Sequence, residues 1–251
     1  MARQPRLDLP GIPQHIVQRG NNRLPCFLDD VDRERYLHLV GDALSATGCL
    51  LHAYVLMDNH VHLLATPPEK GAVGRLMQKL GRRYVGWFNL RHGRSGTLWE
   101  GRYKACLVDS ASYLLRCVRY IDLNPVRARI IDDPARFRWS SCAALCGQRV
   151  DPLLTLHAEQ RALGATSREN SRAYRHLLTE VVSDDELAVI RLYLQQQRAY
   201  GRAAFQSNVQ AAMQRFAGVR PAHRPGRALP LSEPDHVLGQ PDPILGPVLV
   251  G

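Results

Sequence analysis

The sequence predicts an α+β sandwich in which helices pack on a small, largely antiparallel sheet, followed by a helical extension and a proline-rich tail. Strand-like runs near residues 12–18, 50–64 and 97–108 alternate with segments whose apolar residues recur at helical spacing, and all periodicity is lost after residue 218. The 251 residues are 45% hydrophobic, enough to bury a core. That length suits one domain with a sizeable appendage, or two small domains.

Ile12 to Gln18 reads as the first strand, ended by the turn-prone Arg19-Gly20-Asn21-Asn22. Asp29 or Asp30 caps a helix running to Thr47, with Tyr36, Leu37, Val40, Ala43, Leu44 and Thr47 inward and Gly48 as its stop. Leu50 to Met57 is the second strand, and Asp58-Asn59 supplies turn chemistry for a hairpin into a third. After Pro67-Pro68, a helix over 73–91 sets Val73, Leu76, Met77, Leu80, Tyr84 and Phe88 on one face and Arg75, Lys79, Arg82 and Arg83 on the other. No acidic residue stands between Glu69 and Glu100, so this cationic face is a candidate for phosphate contact, with plain solvation as the alternative. Thr97 to Val108 reads as a strand in which Trp99, Arg102 and Lys104 suit stacking on unpaired bases and clamping their phosphates; a packed tryptophan is the other reading of Trp99. Asp109 or Ser110 caps the next helix, which Pro125 bends or ends. Helical patterns at 173–182, 184–200 and 208–217 make up the extension, and seven prolines from Pro221 to Pro247 mark a disordered tail. The expected divisions are 1–146, 147–217 and 218–251.

Two of these segments carry chemistry. In Met57-Asp58-Asn59-His60-Val61-His62-Leu63-Leu64, the period of a strand puts His60 and His62 on one face of the sheet, just past a tight turn. Two imidazoles on one face are half a metal site; structural histidines are the bland reading. In the helix near residue 120, Leu114, Val118 and Ile121 recur at core spacing, while Tyr113, Arg116, Tyr120 and Asn124 share another face. A tyrosine four residues before an amide puts a phenol and a carbonyl oxygen on neighbouring turns. One is a candidate nucleophile and the other a third hard ligand.

MDNHVHLL and the later VRYIDLNPVRA, with HIVQRGNNRLPCF and GTLWEGRYKA, resemble the HUH single-strand endonucleases of the IS200-like Y1 transposase type, most closely the REP-associated tyrosine transposases. The resemblance covers residues 10–146. Asp58 stands where relatives often have proline, which affects the turn and leaves the ligands in place. The resemblance implies a ferredoxin-like sheet, a magnesium or manganese ion, and single-stranded DNA substrates folded into REP-type hairpins beside an unpaired tetranucleotide. It leaves a homodimer open.

The chemistry expected of this set is cleavage of a phosphodiester. His60, His62 and the Asn124 side-chain oxygen would hold the ion. Tyr120 would attack, giving a 5′-phosphotyrosine and a free 3′-OH that another strand can reverse. A phenol needs help to ionise, from the ion or from a cation such as Arg116. Tyr113 is the rival nucleophile, but it lies eleven residues before Asn124, too far along the helix to share one ion comfortably. Arg19, Arg75, Lys79, Arg82, Arg83, Trp99, Arg102, Lys104 and Arg116 are the candidate DNA contacts. Two other classes fit the same residues: a non-catalytic hairpin-DNA-binding regulator, and a metal-dependent phosphodiesterase that activates water.

Composition agrees with a nucleic-acid partner. Net charge is +10; residues 1–150 hold 22 Lys+Arg against 13 Asp+Glu, and residues 151–251 hold 11 against 10. The basic excess therefore lies with the His pair and the tyrosine, and it is nearly all arginine, whose planar fork suits phosphates. Six cysteines lack any Cys-x-x-Cys pair, which argues against a zinc site and for reduced thiols. With no apolar run of membrane-spanning length and no signal-peptide core, a cytoplasmic, nucleoid-associated protein is expected.

Overall fold

A computed structural model describes residues 5–220, apart from the side chains of residues 111 and 112. The first six elements are β1 (Gln14–Arg19), α1 (Asp30–Thr47), β2 (Leu50–Met57), β3 (His60–Thr66), α2 (Ala72–Arg91) and β4 (Lys104–Val108). The strands run in the order β2-β3-β1-β4 with antiparallel neighbours, which is the ferredoxin-like arrangement. There follow α3 (Ser110–Asp122), α4 (Asn124–Arg127), α5 (Cys142–Leu145), α6 (Ala158–Arg161), α7 (Ser167–Thr179), α8 (Asp184–Gln196), β5 (Ala199–Tyr200) and α9 (Ala203–Met213). Residues 221–251, which hold nearly all of the expected disordered tail, lie outside the described residues.

Local chemistry sets these boundaries. Asp29 caps α1 by accepting the Asp32 N–H at 3.1 Å, and Gly48 ends it in the left-handed conformation at φ 68°. Asp58-Asn59 closes the β2–β3 hairpin with Met57 opposite His60. Asp109 stands at the N-cap of α3, yet its carboxylate bonds Arg202 rather than the helix. Pro125 follows directly on the break at Leu123, and the chain turns into α4.

The sheet has two covered faces. On one, Ile16, Tyr54, Leu56, Val61, Leu63 and Ala105 pack against α1 and α2. On the other, Ala53, Val55, Met57, Leu64, Cys106 and Val108 meet Leu114, Cys117, Val118 and Ile121 of α3, together with Tyr174, Leu187, Ile190 and Leu194 of α7 and α8. All six cysteines are buried free thiols, Cys26 and Cys49 in the first core and Cys106, Cys117, Cys142 and Cys146 in the second.

The structure differs from the sequence reading in three places. The fourth strand begins at Lys104, not Thr97, because Trp99 turns into the first core beside Tyr36 and Tyr84 and touches the sheet only through one bridge to Gly20. The extension contains a strand: α8 stops at left-handed Gln197 (φ 54°), and β5 then pairs parallel to β4, Leu107 against Ala199. α7 starts at Ser167 because Thr166 and Glu169 form a capping box, and α9 overlaps the expected 208–217 but begins earlier, at Ala203, and ends earlier, at Met213.

Candidate active site

The site is built at the end of the sheet where β1 finishes and β3 begins. Register places Arg19 opposite His60 and Val17 opposite His62, all on the α3 side. The His60 and His62 rings lie 5.1 Å apart. Tyr120 comes down from α3 with its ring 5.7 Å from that of His62 and 5.6 Å from that of His15, both edge-on. Asn124, just past the helix break, has its side chain close enough to His60 to influence that imidazole. The four residues read as a set in the sequence are therefore neighbours in space.

Each imidazole is oriented by a partner. Asn59 donates from Nδ2 to the Arg23 carbonyl at 3.1 Å, so its Oδ1 faces the Nδ1 of His60 at 2.7 Å and accepts from it. His60 thus keeps its Nε2 lone pair. His62 Nδ1 lies 2.8 Å from His15 Nε2; when His62 donates in that bond, its Nε2 is likewise free to bind an ion. Burial disfavours the protonated forms: it holds His60 at about 4 and His15 at about 3, and pushes His62 well below the ordinary histidine range. Two neutral imidazoles and a carboxamide oxygen form a mixed nitrogen and oxygen donor set that fits a divalent ion such as magnesium or manganese. Among the described residues, no group of three His, Cys, Asp or Glu forms a competing site.

The sequence reading missed two members of the site. His15 lies on β1, and its proximity to His62 depends on strand pairing that a single run does not reveal. Arg127 reaches back from α4 so that its guanidinium covers the Tyr120 ring at 4.5 Å and donates to the Tyr120 carbonyl. Burial lowers Arg127 to about 10, and its buried Nη1 has no hydrogen-bond partner in the structure. Arg116, read as the cation for the phenol, instead pairs with Glu186 at 3.5 Å and lies over Tyr113. Tyr113 packs on Tyr200 of β5, ring centroids 4.6 Å apart, away from the histidines.

The other candidate contacts divide by layer. Arg19, Arg102 and Lys104 line a groove beside the site. Arg75, Lys79, Arg82 and Arg83 stand on the α1–α2 layer, across the sheet from the histidines, with Arg75 paired to Glu69 and Arg83 to Asp42. Trp99 is buried and offers no face to a base.

Residues 10–124 match the family model described as transposase, IS200 like. No curated protein matches the chain. Among solved structures, a REP-associated tyrosine transposase bound to a REP hairpin is 17% identical, covers 63% of this chain and 93% of its own, and superposes with a TM-score of 0.50, a likeness of fold. A candidate transposase of Deinococcus radiodurans R1 is 21% identical over 52% of this chain and 91% of its own, with a TM-score of 0.33.

Proposed function

We propose, from the match of residues 10–124 to the IS200-like transposase family model, that the chain cuts and rejoins single-stranded DNA next to a hairpin, with Tyr120 as nucleophile. The observation that carries this reading is the meeting of Tyr120 with His60, His62 and Asn124 at one end of the sheet.

In the proposed reaction the Tyr120 oxygen forms a bond to phosphorus and loses its proton. The bond to the 3′ oxygen breaks, and that oxygen takes up a proton to leave as a 3′-OH. The 5′ end stays on the protein as a phosphotyrosine, so a strand's 3′-OH can reverse the step without an outside energy source. His60, His62 and Asn124 would hold a magnesium or manganese ion, which when bound supplies positive charge to the phosphate oxygens. Arg127 supplies a fixed positive charge beside the phenol, where a phenolate and a phosphate both gain from it. A hairpin partner agrees with the relative that carries a REP hairpin and with the arginine-rich charge of residues 1–150.

A labelled single-stranded hairpin incubated with the protein and manganese, then run on a denaturing gel, tests the reading. The expected result is a covalent protein–DNA band that Tyr120→Phe abolishes and Tyr113→Phe leaves. Cleavage without an adduct would transfer the attack to water; binding without cleavage would leave a regulator.

A further inference from the structure

The helix that carries Tyr120 ends in a break whose direction its own backbone does not dictate. Leu123 closes α3 at φ −82° and ψ 2°, no side chain caps the start of α4, and Pro125 lacks the N–H that would have continued the ladder. What the last turn of α3 is bonded to therefore decides where Asn124 goes. That turn carries one carboxylate, Asp122, and it is wholly buried. Its two oxygens take hydroxyl protons from two separate parts of the chain. Ser141, at the N-cap of α5, donates from Oγ to Oδ1 at 2.8 Å, and Tyr174 of α7 donates to Oδ2 at 2.6 Å. Ser141 Oγ also accepts the Tyr54 N–H of β2 at 3.0 Å. Asp122 is thereby tied to the sheet on one side and to the extension on the other.

We propose that Asp122 is a positioning residue for strand cleavage: held by Ser141 and Tyr174, it fixes the rotation of α3 and the break that follows, and so sets Tyr120 and Asn124 against the histidine pair. The assignment rests on the reading of Tyr120 as nucleophile given above. Two residues along a helix turn it by about 200°, so Asp122 lies on the far side of α3 from Tyr120. A pin on the far side governs where the near side points. A side-chain tip about 6 Å from the axis moves about 1 Å for a rotation of about 10°, and a displacement of about 1 Å can cost about 100-fold in rate.

The apolar contacts of α3 do not do this alone. Leu114, Cys117, Val118 and Ile121 bury their surface in the second core, but burial is non-directional and holds a helix down with little preference between neighbouring rotations. Hydrogen bonds to a carboxylate are directional and charge-assisted. A buried carboxylate is also costly, and well-packed apolar residues in place of such a group often leave a protein as stable or more so. Its presence here answers a demand for one geometry rather than for stability. Tyr174 belongs to the extension, so one of the two holds on the nucleophile helix comes from outside the ferredoxin-like part.

Asp122→Ala combined with Tyr174→Phe removes the carboxylate and the hydroxyl that faces it. Ser141 Oγ keeps Tyr54 as its partner, with the carbonyl oxygen 3.2 Å away. No buried polar group is orphaned, and the thermal midpoint should stay within about 4 °C of wild type. Asp122→Asn keeps an acceptor and gains a donor, enough to bond both hydroxyls. Full-length proteins are compared well below the midpoint at saturating hairpin DNA and manganese. The double variant should form the Tyr120 adduct about 100-fold more slowly and bind manganese about 10-fold more weakly by calorimetry. Asp122→Asn should stay within about threefold of wild type in both, and hairpin binding in chelator should be equal for all. Should the double variant not fold, Tyr174→Phe alone carries the test, with an adduct rate lower by about 10-fold. An adduct rate within about twofold of wild type in the variant tested, a manganese affinity unchanged in it, or an Asp122→Asn just as slow, overturns the positioning role while Tyr120 stands as nucleophile. No adduct from wild type would sink both.

Discussion

His15 has one ring nitrogen against His62 and the other, Nδ1, without a partner, deep in the core. Such a residue does little for stability that an apolar side chain would not do better, but it can fix which nitrogen of His62 faces an ion. His15→Ala should therefore weaken divalent-ion affinity roughly 10- to 100-fold, read by calorimetric titration with manganese, while hairpin binding in chelator stays as in wild type. Unchanged ion affinity would leave His15 a packing residue. Arg127→Met keeps most of the volume over the Tyr120 ring and removes the charge. Adduct formation should slow by about 100-fold or more in single-turnover assays, and a rate within a factor of two of wild type would remove Arg127 from the reaction. These two residues also mark the limit of what the sequence disclosed. His60 and His62 are legible because strand period alone puts them on one face, and Tyr120 and Asn124 because they lie four apart near a helix end. His15 is joined to the set by pairing across strands, which local period does not show; Arg127, seven residues after Tyr120, keeps helical spacing, but only because the helical path resumes past the break at Leu123, which the proline in the sequence obscures.

At the level of elements, α2 and the histidine hairpin lie on opposite sides of one sheet. The cations of α2 were legible as a stripe, but not the side of the molecule on which that stripe falls, since two helices of similar pattern can cover either face. Arg75 and Arg83 already have carboxylates; Lys79 and Arg82 have none within ion-pair distance among the described residues. Neutralising Lys79 and Arg82 together should reduce the log-log salt slope of hairpin binding by roughly two units, measured by fluorescence anisotropy. The single-turnover cleavage rate at saturating DNA should not change, because the sheet separates these side chains from Tyr120. An unchanged slope would mean that this face is merely solvated.

For the whole molecule, the extension is part of the same folded unit as the sheet, since the described residues up to 219 cluster as one compact body. Tyr174, Leu187, Ile190 and Leu194 complete the second core, and the buried Asp122 of α3 accepts from the Tyr174 hydroxyl at 2.6 Å. A fragment ending at residue 146 should consequently show no cooperative urea transition, whereas one ending at 219 should show one. His52 ties the same parts together, with Nδ1 at 2.6 Å from the Thr155 carbonyl oxygen and Nε2 at 2.7 Å from the Thr66 hydroxyl. Burial holds its imidazole at about 4, against an ordinary 6.5. The folded form binds that proton less readily than the unfolded chain, so the contribution is complete above pH 6.5 and is lost as the pH falls toward 4, by an amount on the order of 3 kcal/mol. His52→Gln should flatten the fall in thermal midpoint across that window relative to wild type; His15, His60 and His62 shift in the same direction and leave a residual slope. The six buried thiols turn the fold into its own reporter. A thiol reagent should leave the native protein unmarked, and in mild denaturant each modified cysteine records which face of the sheet opened: Cys26 and Cys49 for one, Cys106, Cys117, Cys142 and Cys146 for the other. Because α3 and the extension share the second core, those four should label in step, and peptide mass spectrometry would show whether the histidine side breathes while the α1–α2 side stays closed.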